Sequence, residues 1–237
     1  MKKFIIDDSI YELFPTLKIG VVVCRGINNI YKDKSVYEQL LADAEKECLK
    51  LLEGTDDIIE SKYISLWREA MKKYPAEKGM RSSVEAFARR ILKGHHISCI
   101  NPIVDIYNSI SIKYLLPFGG EDLDCITGNM ILTKAKGSEN FIALGENENK
   151  PPKQGEVVYM DAEGVVVRGW LWREADRTKI TEDTTNVLLY TELIDESRVE
   201  IQNTAINELV IYVEKYLGGK CEVQYLDKSN REVIIQA

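Results

Sequence analysis

The spacing of hydrophobic residues changes along this chain, and that change limits the folds available to it. Two short apolar strands are predicted at residues 3–6 and 18–24. After them, up to about residue 115, apolar residues recur every three or four positions, which is typical of amphipathic helices. From residue 130 onward, most apolar stretches are short and typical of strands. Helices followed by strands predict an α+β fold with mixed or antiparallel sheets flanked by helices, and argue against a doubly wound fold.

Capping residues mark the ends of the predicted helices. Ser35 and Ser82 are each followed three residues later by glutamate, which is a capping-box pattern. Asn101 before Pro102 is a good helix start, because proline has no N–H to leave unpaired in the first turn. Helices are therefore predicted to begin at Ser35, Ser82 and Asn101, with another over about 64–74 and a last one over about 197–217.

Strands are predicted mainly in the second half of the chain. Between two of them, residues 161–164 are typical of a hairpin loop with Gly164 at a positive φ. A second hairpin is expected near the C-terminus. The predicted strands cover residues 130–133, 141–144, 156–160, 165–168 and 187–193, and the second hairpin pairs residues 221–226 with 233–236.

The chain has no internal repeat, no low-complexity tract and no glycine- or serine-rich linker that would separate two domains. We therefore expect one domain over residues 1–237, helix-rich to about residue 115 and strand-rich from about residue 116. Single domains of this length are common, and a hydrophobic fraction of 45% is that of a globular protein with a sizeable core.

Apolar runs and cysteines indicate the class of protein and its compartment. The longest apolar runs are far below the roughly 20 residues that a membrane-spanning helix needs, and the N-terminus lacks the apolar region of a secretory signal. The five cysteines are odd in number, widely spread and never in a C-x-x-C pair. These features predict a cytoplasmic protein with reduced thiols and without a disulfide framework or a zinc site.

Basic residues are concentrated between residues 61 and 93, although the whole chain carries a net charge of −7. This segment has nine lysines and arginines and three glutamates, a local charge of +6. A local basic surface attracts the phosphates of RNA whatever the total charge. An ordinary solvated helix face is an equally open interpretation. If the surface binds RNA, the expected contacts are Arg68, Lys72, Lys73, Arg89 and Arg90.

Several catalytic motifs are absent from the sequence: a phosphate-binding loop, a dinucleotide-binding glycine motif, a zinc-protease motif and a serine nucleophile elbow. The histidines are the adjacent His95 and His96, and a polar turn after Gly94 explains them better than a metal site. Because a nucleophilic triad needs a histidine base, a covalent nucleophile is not expected. We expect no metal and no cofactor.

Acidic residues in two short motifs have either structural or catalytic roles. Asp105 and Asn108 lie three apart on a predicted short helix and, with Asp122, would form a buried polar network that holds a pocket loop. A catalytic role is equally open. Asp122 also belongs to an acidic cluster with Glu121 and Asp124, for which a turn capped by aspartate is favoured over a cation site.

Trp170 and Trp172 alternate on a segment that is predicted to be extended, so both would lie on one face. Two aromatics on one face suit stacking on a terminal adenine or an amino-acid side chain. Burial in the core of a sheet is the alternative, and it is favoured for one of the two. Hydroxyls that would orient a water or a ribose, or that are plain loop polarity, come from Thr178, Thr181, Thr184 and Thr185.

Four motifs occur in a set order: NPIVDIYN at residues 101–108, GEVVYMD at 155–161, a segment that begins with Gly169 and ends with Glu174, and LYTE at 189–192. Together they resemble the editing (B3/4) domain of the phenylalanyl-tRNA synthetase beta subunit, over roughly residues 81–192. The resemblance implies a B3/4-like fold. It also implies hydrolysis of an ester between an amino acid and tRNA, which in that family joins tyrosine to the phenylalanine tRNA, without a metal or a covalent intermediate.

The chain departs from that family at the expected pocket. Gly119 stands where synthetase-type members have a histidine that helps to read the tyrosine hydroxyl, which bears on whether tyrosine is the substrate. Trp172 and Arg173 replace two glycines and would reshape the pocket. Because 237 residues leave no room for the other synthetase modules, the resemblance implies a free-standing relative. Such a relative would act in trans on tRNAs charged with wrong or non-protein amino acids.

We therefore predict an aminoacyl-tRNA deacylase whose partner is the acceptor end of a mischarged tRNA, with no binding to DNA or membranes. Glu174 and Thr184 are the expected catalytic residues; Glu174 would bind the amino acid, and Thr184 or a backbone N–H would position the attacking water. An acidic pocket from Glu121, Glu174 or Glu192 would favour a cationic side chain such as that of an arginine analogue. The expected substrate-binding residues are Arg81, Asn108, Gly119, Asp122, Trp170, Arg173, Thr191 and Glu192.

The main alternative is a non-catalytic module that keeps the B3/4-like fold and binds tRNA or an amino acid. A domain used only for protein assembly, with the tryptophan pair as its interface, is a weaker third possibility. Turnover of a charged tRNA distinguishes the first prediction from the other two.

Overall fold

The computed structural model describes residues 1–236 and contains two β-sheets and six α-helices within that range. The helices are α1 Asp8–Leu13, α2 Lys34–Leu51, α3 Lys62–Met71, α4 Ser83–Leu92, α5 Pro102–Tyr114 and α6 Val199–Leu217. The strands are β1 Lys2–Ile6, β2 Lys18–Arg25, β3 Gly119–Asp122, β4 Met130–Lys134, β5 Val157–Met160, β6 Val165–Arg168, β7 Arg173–Glu174, β8 Asn186–Leu193, β9 Lys220–Leu226 and β10 Glu232–Gln236.

The two sheets differ in strand direction. The six-stranded sheet has the order β10-β1-β4-β5-β6-β7, in which β1 and β4 are parallel and the other neighbours are antiparallel. The four-stranded sheet, β3-β8-β2-β9, is antiparallel throughout. The predicted α+β fold with mixed and antiparallel sheets flanked by helices is therefore confirmed.

Local capping interactions account for the helix starts that the sequence predicts. The Ser82 hydroxyl accepts the Glu85 N–H at 3.3 Å, and the Asn101 side chain accepts the Val104 N–H at 3.2 Å. The predicted start at Ser35 is wrong by a short distance. Asp33 caps α2 instead, because its carboxylate accepts both the N–H and the O–H of Ser35.

Two strand predictions are wrong. Residues 141–144 form isolated bridges to Asn149 and Ala175 instead of a strand. The expected hairpin near the C-terminus does not form either: β9 pairs with β2, whereas β10 pairs with β1 in the other sheet. The turn between them is present, since Asp227 accepts the Ser229 and Asn230 N–H groups. It directs the chain from one sheet into the other.

The cysteine prediction is wrong for one pair. Cys24 on β2 lies directly opposite Cys221 on β9, and the two form a disulfide. Because 197 residues separate the two cysteines, the sequence does not indicate that they pair. The pairing follows from the register of β2 against β9. Cys48, Cys99 and Cys125 are free thiols in the part of the chain that the structure describes. Among residues 1–236, the helices are too short or too polar to cross a bilayer.

Aromatic rings fill the space between the two sheets. Tyr159 of β5 packs against Tyr190 of β8 with ring centroids 4.9 Å apart, and Phe4 of β1 contacts both at 5.6 and 5.7 Å. All three rings are buried. Aromatic contacts at these distances stabilise the interface beyond the area they bury. They also fix two phenol hydroxyls beside the carboxylates of the candidate site.

Candidate functional site

A cavity of about 330 Å³ opens where β3, β7 and β8 meet the turn at 169–172 and the start of α4. Its closed end consists of the buried Trp170, Tyr190 and Glu192, and its mouth consists of the more exposed Leu144, Glu146, Trp172 and Arg173. Cavities of this volume suit small molecules. The remaining lining residues are Ser83, Phe118, Gly119, Ala143, Val167, Leu171 and Glu174.

Three glutamates lie in or directly behind the cavity. Glu121 and Glu192 are fully buried, and each accepts a hydrogen bond from a tyrosine: Tyr190 to Glu121 at 3.1 Å and Tyr159 to Glu192 at 2.6 Å. Glu174, on the short strand β7, lines the cavity and keeps part of its surface exposed there. The structure thus brings together the three carboxyl groups that the sequence predicts for the pocket.

The surroundings of these carboxyl groups change their protonation. Burial raises the pKa of Glu192 to about 8 and the pKa of Glu174 to about 7. Burial, and then repulsion from Glu174, raises the pKa of Glu121 well above its usual range. Near neutral pH, Glu192 is therefore mainly protonated, and Glu174 changes charge in that range. The electrostatic attraction for a cationic side chain is correspondingly weaker than three charged glutamates would give.

Two glycines allow the tyrosines to approach β3. A Cβ on Gly119 would lie 2.5 Å from the Tyr190 ring, and one on Gly120 would lie 2.7 Å from Leu189 and 3.1 Å from the Tyr107 ring. The distances to Tyr190 and Leu189 are too short for a Cβ unless those side chains move, and the distance to Tyr107 is tight, so glycine at both positions suits this packing. A histidine at position 119 would displace Tyr190, the hydrogen-bond partner of Glu121.

The turn at 169–172 separates the two tryptophans, and the predicted extended segment with both rings on one face is wrong. Gly169 and Trp170 have positive φ values of 64° and 60°, which turn the chain sharply. Trp170 is fully buried between Phe14 and Trp67, with ring centroids at 4.6 and 5.4 Å. Trp172 is at the mouth of the cavity. The core interpretation therefore holds for Trp170.

Charged side chains at the mouth are paired with one another. The Arg173 guanidinium lies 4.9 Å from the Trp172 ring centroid and donates to Glu146 at 2.7 Å. Glu146 also accepts from Lys150 at 2.9 Å. These groups are exposed or partly exposed, so solvent competes with each contact.

Several predicted site residues lie outside the cavity lining. The Thr184 hydroxyl donates to Asp122 at 2.6 Å, and Asp122 caps the turn that follows β3 by accepting the Asp124 N–H at 3.0 Å. Thr191 faces α6 and not the cavity, since a Cβ on Gly20 would lie both 3.4 Å from its methyl group and 2.2 Å from Ile206 of α6. Within residues 1–236, no group of three or more histidine, cysteine, aspartate and glutamate side chains is placed to hold a metal ion.

The expected network of Asp105, Asn108 and Asp122 is not formed. Asp105 instead accepts hydrogen bonds from the Tyr31 hydroxyl and from the Ile100 N–H. Asn108 is buried on α5, and Asp122 bonds to Thr184. The three-residue spacing did place Asp105 and Asn108 on one helix, but the partners of Asp105 come from the segments before α5.

The basic segment at 61–93 is partly used within the molecule. Arg68 and Arg89 both donate to the buried Glu85, at 2.6–2.8 Å. The other predicted contacts, Lys72, Lys73 and Arg90, bond to Glu69, to the Leu13 carbonyl and to the His96 carbonyl. Arg81 is exposed, two residues before Ser83 of the cavity. Both interpretations of this surface remain predictions.

Tyr159 and Tyr190 are site residues that our sequence reasoning missed. Both lie in predicted strands, where tyrosine is usually read as core. A signal was present: Tyr190 and Glu192 are two residues apart on a buried strand and therefore point to the same face. A carboxylate beside a tyrosine on a buried face needs a hydrogen-bond partner, which identifies the face as a polar site.

Comparison with known proteins assigns the chain to a family. A search of curated proteins gave no match. A solved N-terminal fragment of the phenylalanyl-tRNA synthetase beta subunit from Pyrococcus horikoshii aligns with 16% identity and a TM-score of 0.49. The alignment covers 92% of this chain and 49% of that one, so this chain spans about half the length of that fragment. The model of the B3/4 domain matches residues 66–214, which is more than half of the chain and includes every residue that lines the cavity. The chain therefore belongs to the B3/4 domain family.

Proposed function

We propose that this protein is an aminoacyl-tRNA deacylase that hydrolyses the ester of a mischarged tRNA. The observation that carries the proposal is the position of Glu174: a carboxyl group that lines a cavity of suitable size and whose pKa is raised to about 7 by burial. A group with such a pKa is well suited to act as a general base near neutral pH. Membership of the B3/4 family and the motif resemblance to its editing members support the choice of an aminoacyl ester.

The proposed reaction needs one base and one water. The Glu174 carboxylate takes a proton from water as the water oxygen bonds to the ester carbonyl carbon. When the bond between that carbon and the ribose oxygen breaks, the protonated Glu174 returns the proton to the ribose oxygen. The products are the free amino acid and uncharged tRNA. Since an aminoacyl ester is already labile, orienting the water supplies much of the required acceleration.

The remaining residues have binding roles in this proposal. The amino acid occupies the cavity, with its side chain toward Trp170 and Glu192 at the closed end. The acceptor end of the tRNA lies outside the mouth, near Arg81 and the basic segment. Because Thr184 donates to Asp122 away from the cavity, we assign the positioning of the water to Glu174 and not to Thr184.

The test is hydrolysis of a panel of tRNAs charged with cognate, near-cognate and non-protein amino acids. We expect selective release of one class, and about a 100-fold or larger loss of rate in Glu174→Gln. The matched control is Glu148→Gln, which removes a carboxylate from the exposed loop beside the mouth and should keep the rate of the wild type.

Absence of release from every ester would reject the deacylase. If the charged tRNA still bound under those conditions, the chain would be a binding module of the B3/4 family. Equal rates for wild type and Glu174→Gln would leave the activity in place but remove Glu174 from it.

A further inference from the structure

The last segment of the chain, residues 218–236, lies at the edges of both sheets, and we call it the C-terminal arm. In the described chain, β9 has β2 as its strand neighbour and β10 has β1. Each strand of the arm is therefore bonded to its sheet along one side. The side chains of Leu226, Val233 and Ile235 pack it against the core. Segments at the end of a chain and at the edge of a sheet open at a lower free energy than central strands.

Two glycines give the arm a hinge. α6 ends at Leu217, and Gly218 and Gly219 follow with φ values of 73° and 77°. Both values lie in the left-handed region, which glycine adopts without the steric cost of a Cβ. A Cβ on Gly218 would meet no atom of the described residues within 4 Å, so the space around it is open. The chain can therefore change direction between α6 and β9 by rotation at these two residues.

A disulfide lies next to this hinge. Cys221 of β9 is directly opposite Cys24 of β2, and the bond between them is three residues after the start of the arm. While the bond is intact, the base of the arm is tied to β2, so rotation at the hinge cannot carry β9 away from the sheet. The neighbouring pair of Arg25 and Glu222, at 3.3 Å, is exposed and contributes little. The disulfide is therefore the strong side-chain link at the base of the arm.

The two sulfurs differ in access to a reductant, because Cys24 is fully buried whereas Cys221 keeps part of its surface exposed. A thiolate reduces a disulfide by attacking one of its sulfurs, so a dithiol reductant attacks Sγ of Cys221. The bond between the two cysteines breaks, and Sγ of Cys24 leaves and takes up a proton. The second thiol of the reductant then displaces Cys221 as a thiol. Two electrons pass from the dithiol, which becomes a disulfide, to the protein disulfide, which becomes two thiols.

We propose that the Cys24–Cys221 disulfide is a redox-sensitive cross-link: when oxidised it holds the C-terminal arm closed on both sheets, and when reduced it lets the arm open about its hinge. A cross-link restricts the open state and thereby raises the free energy of opening. In a reducing compartment, where the sequence alone predicts free thiols, the arm takes its looser form. All residues that line the cavity lie between Ser83 and Glu192, so the arm lies outside the candidate site.

Hydrogen exchange measured by mass spectrometry tests the cross-link. It compares the oxidised protein with protein that dithiothreitol has reduced in the absence of denaturant. We expect reduction to speed exchange of the amides in β9 and β10 about tenfold or more and to leave exchange in α5 and β5 unchanged. The melting temperature should fall by about 5–15 °C. Reoxidation with oxidised glutathione should restore both quantities.

A variant connects the response to this bond. Cys221→Ser removes the cross-link at the partly exposed position and leaves the buried Cys24 as a thiol. With or without dithiothreitol, its arm should exchange as fast as that of the reduced wild type. The matched control is Cys125→Ser, which removes an exposed free thiol and should keep the response of the wild type. The reduced wild type makes the same comparison without a substitution, so the test stands even if Cys221→Ser folds poorly.

Three results would overturn the proposal. They are five free cysteines instead of three in the oxidised protein, a bond that resists dithiothreitol until the protein unfolds, and exchange that reduction speeds equally in the arm and in α5 or not at all. The first would remove the cross-link, the second would make it a permanent structural bond, and the third would deny it control of the arm. None of these measurements uses a charged tRNA, so the proposed function is tested separately.

Discussion

The closed end and the mouth of the cavity contain the same kinds of residue in opposite physical situations. Each has a tryptophan and a glutamate: Trp170 and Glu192 are fully buried, whereas Trp172 and Glu146 are accessible to solvent. At the closed end, burial removes water as a partner, so each polar atom needs a fixed one. At the mouth, water replaces any contact that is lost. The comparison teaches that burial, and not residue type, decides how strongly each of these side chains depends on a fixed partner.

The largest expected difference is in the contribution of the two tryptophans to stability. Trp170→Ala should lower the free energy of unfolding by about 3–5 kcal/mol, because it leaves a cavity beside Phe14 and Trp67. Trp172→Ala should lower it by about 1 kcal/mol or less. Urea denaturation of both variants measures this. Equal losses would show that the mouth is as tightly packed as the closed end.

The second prediction concerns stability and pH. The pKa of Glu192 is raised by burial to about 8 in the folded protein, against an unfolded value of about 4.3. Its protonated form therefore stabilises the fold at low pH, and this contribution is lost as the pH rises from about 4.3 through 8. As the pH rises over this range, Glu192→Gln should lose about 2–4 kcal/mol less free energy of unfolding than the wild type.

The matched control for that prediction is at the mouth. The hydrogen bond from Lys150 lowers the pKa of Glu146. Burial opposes this change and Arg173 adds to it, so the pKa is lowered overall. Glu146→Gln should therefore leave the change in stability between pH 5 and 8 as it is in the wild type. Denaturation series at several pH values give both slopes, and identical slopes for wild type and Glu192→Gln would contradict a raised pKa at Glu192.

The third prediction concerns the rate. If Glu174 acts as the base, the deacylation rate should rise about tenfold per pH unit below 7 and level off above it, since the ionised form is active. Spontaneous ester hydrolysis is subtracted with an enzyme-free control. In Glu174→Gln the enzyme-dependent rise should disappear. A wild-type rate that is constant from pH 5 to 8 would exclude a base with a pKa near 7.

The smallest expected effect is that of the ion pair at the mouth. Arg173 is exposed and Glu146 is partly exposed, so Arg173→Gln should change the free energy of unfolding by less than about 1 kcal/mol, and less at high salt. Tyr159→Phe at the closed end removes the partner of Glu192 and should cost about 1–3 kcal/mol. Thermal unfolding of the Arg173→Gln and Tyr159→Phe variants at two salt concentrations compares their losses of stability. A larger loss for Arg173→Gln would reverse the contrast.

The sequence was most informative where the interacting residues are close along the chain. The caps at Ser82 and Asn101 are correct because each bond joins residues three apart. The α+β class followed from hydrophobic spacing, which is also a local property. The last two strands were predicted at nearly the right residues but as a hairpin, because the sheet that β10 joins depends on a partner more than 200 residues away.

The site was predictable in its parts and not in its arrangement. Glu121, Glu174 and Glu192 were identified as pocket residues, but the tyrosines that bind two of them are 69 and 33 residues away in sequence. The left-handed backbone at Trp170 could not be expected, since a bulky residue rarely adopts it. Tertiary packing holds it there and thereby sends one tryptophan into the core and the other to the surface.

The pairing of β10 with β1 has a consequence for the order of folding. Phe4 of β1 lies opposite Val233 of β10, so β1 cannot pair on this side until more than 200 further residues have left the ribosome. Until then one edge of β1 presents unpaired backbone groups, which are a template for association with other nascent chains. Contacts between such distant residues also slow folding, because a long loop must close before they form. We therefore expect slow completion of the six-stranded sheet and a dependence of the folding yield on chaperones that cover this edge.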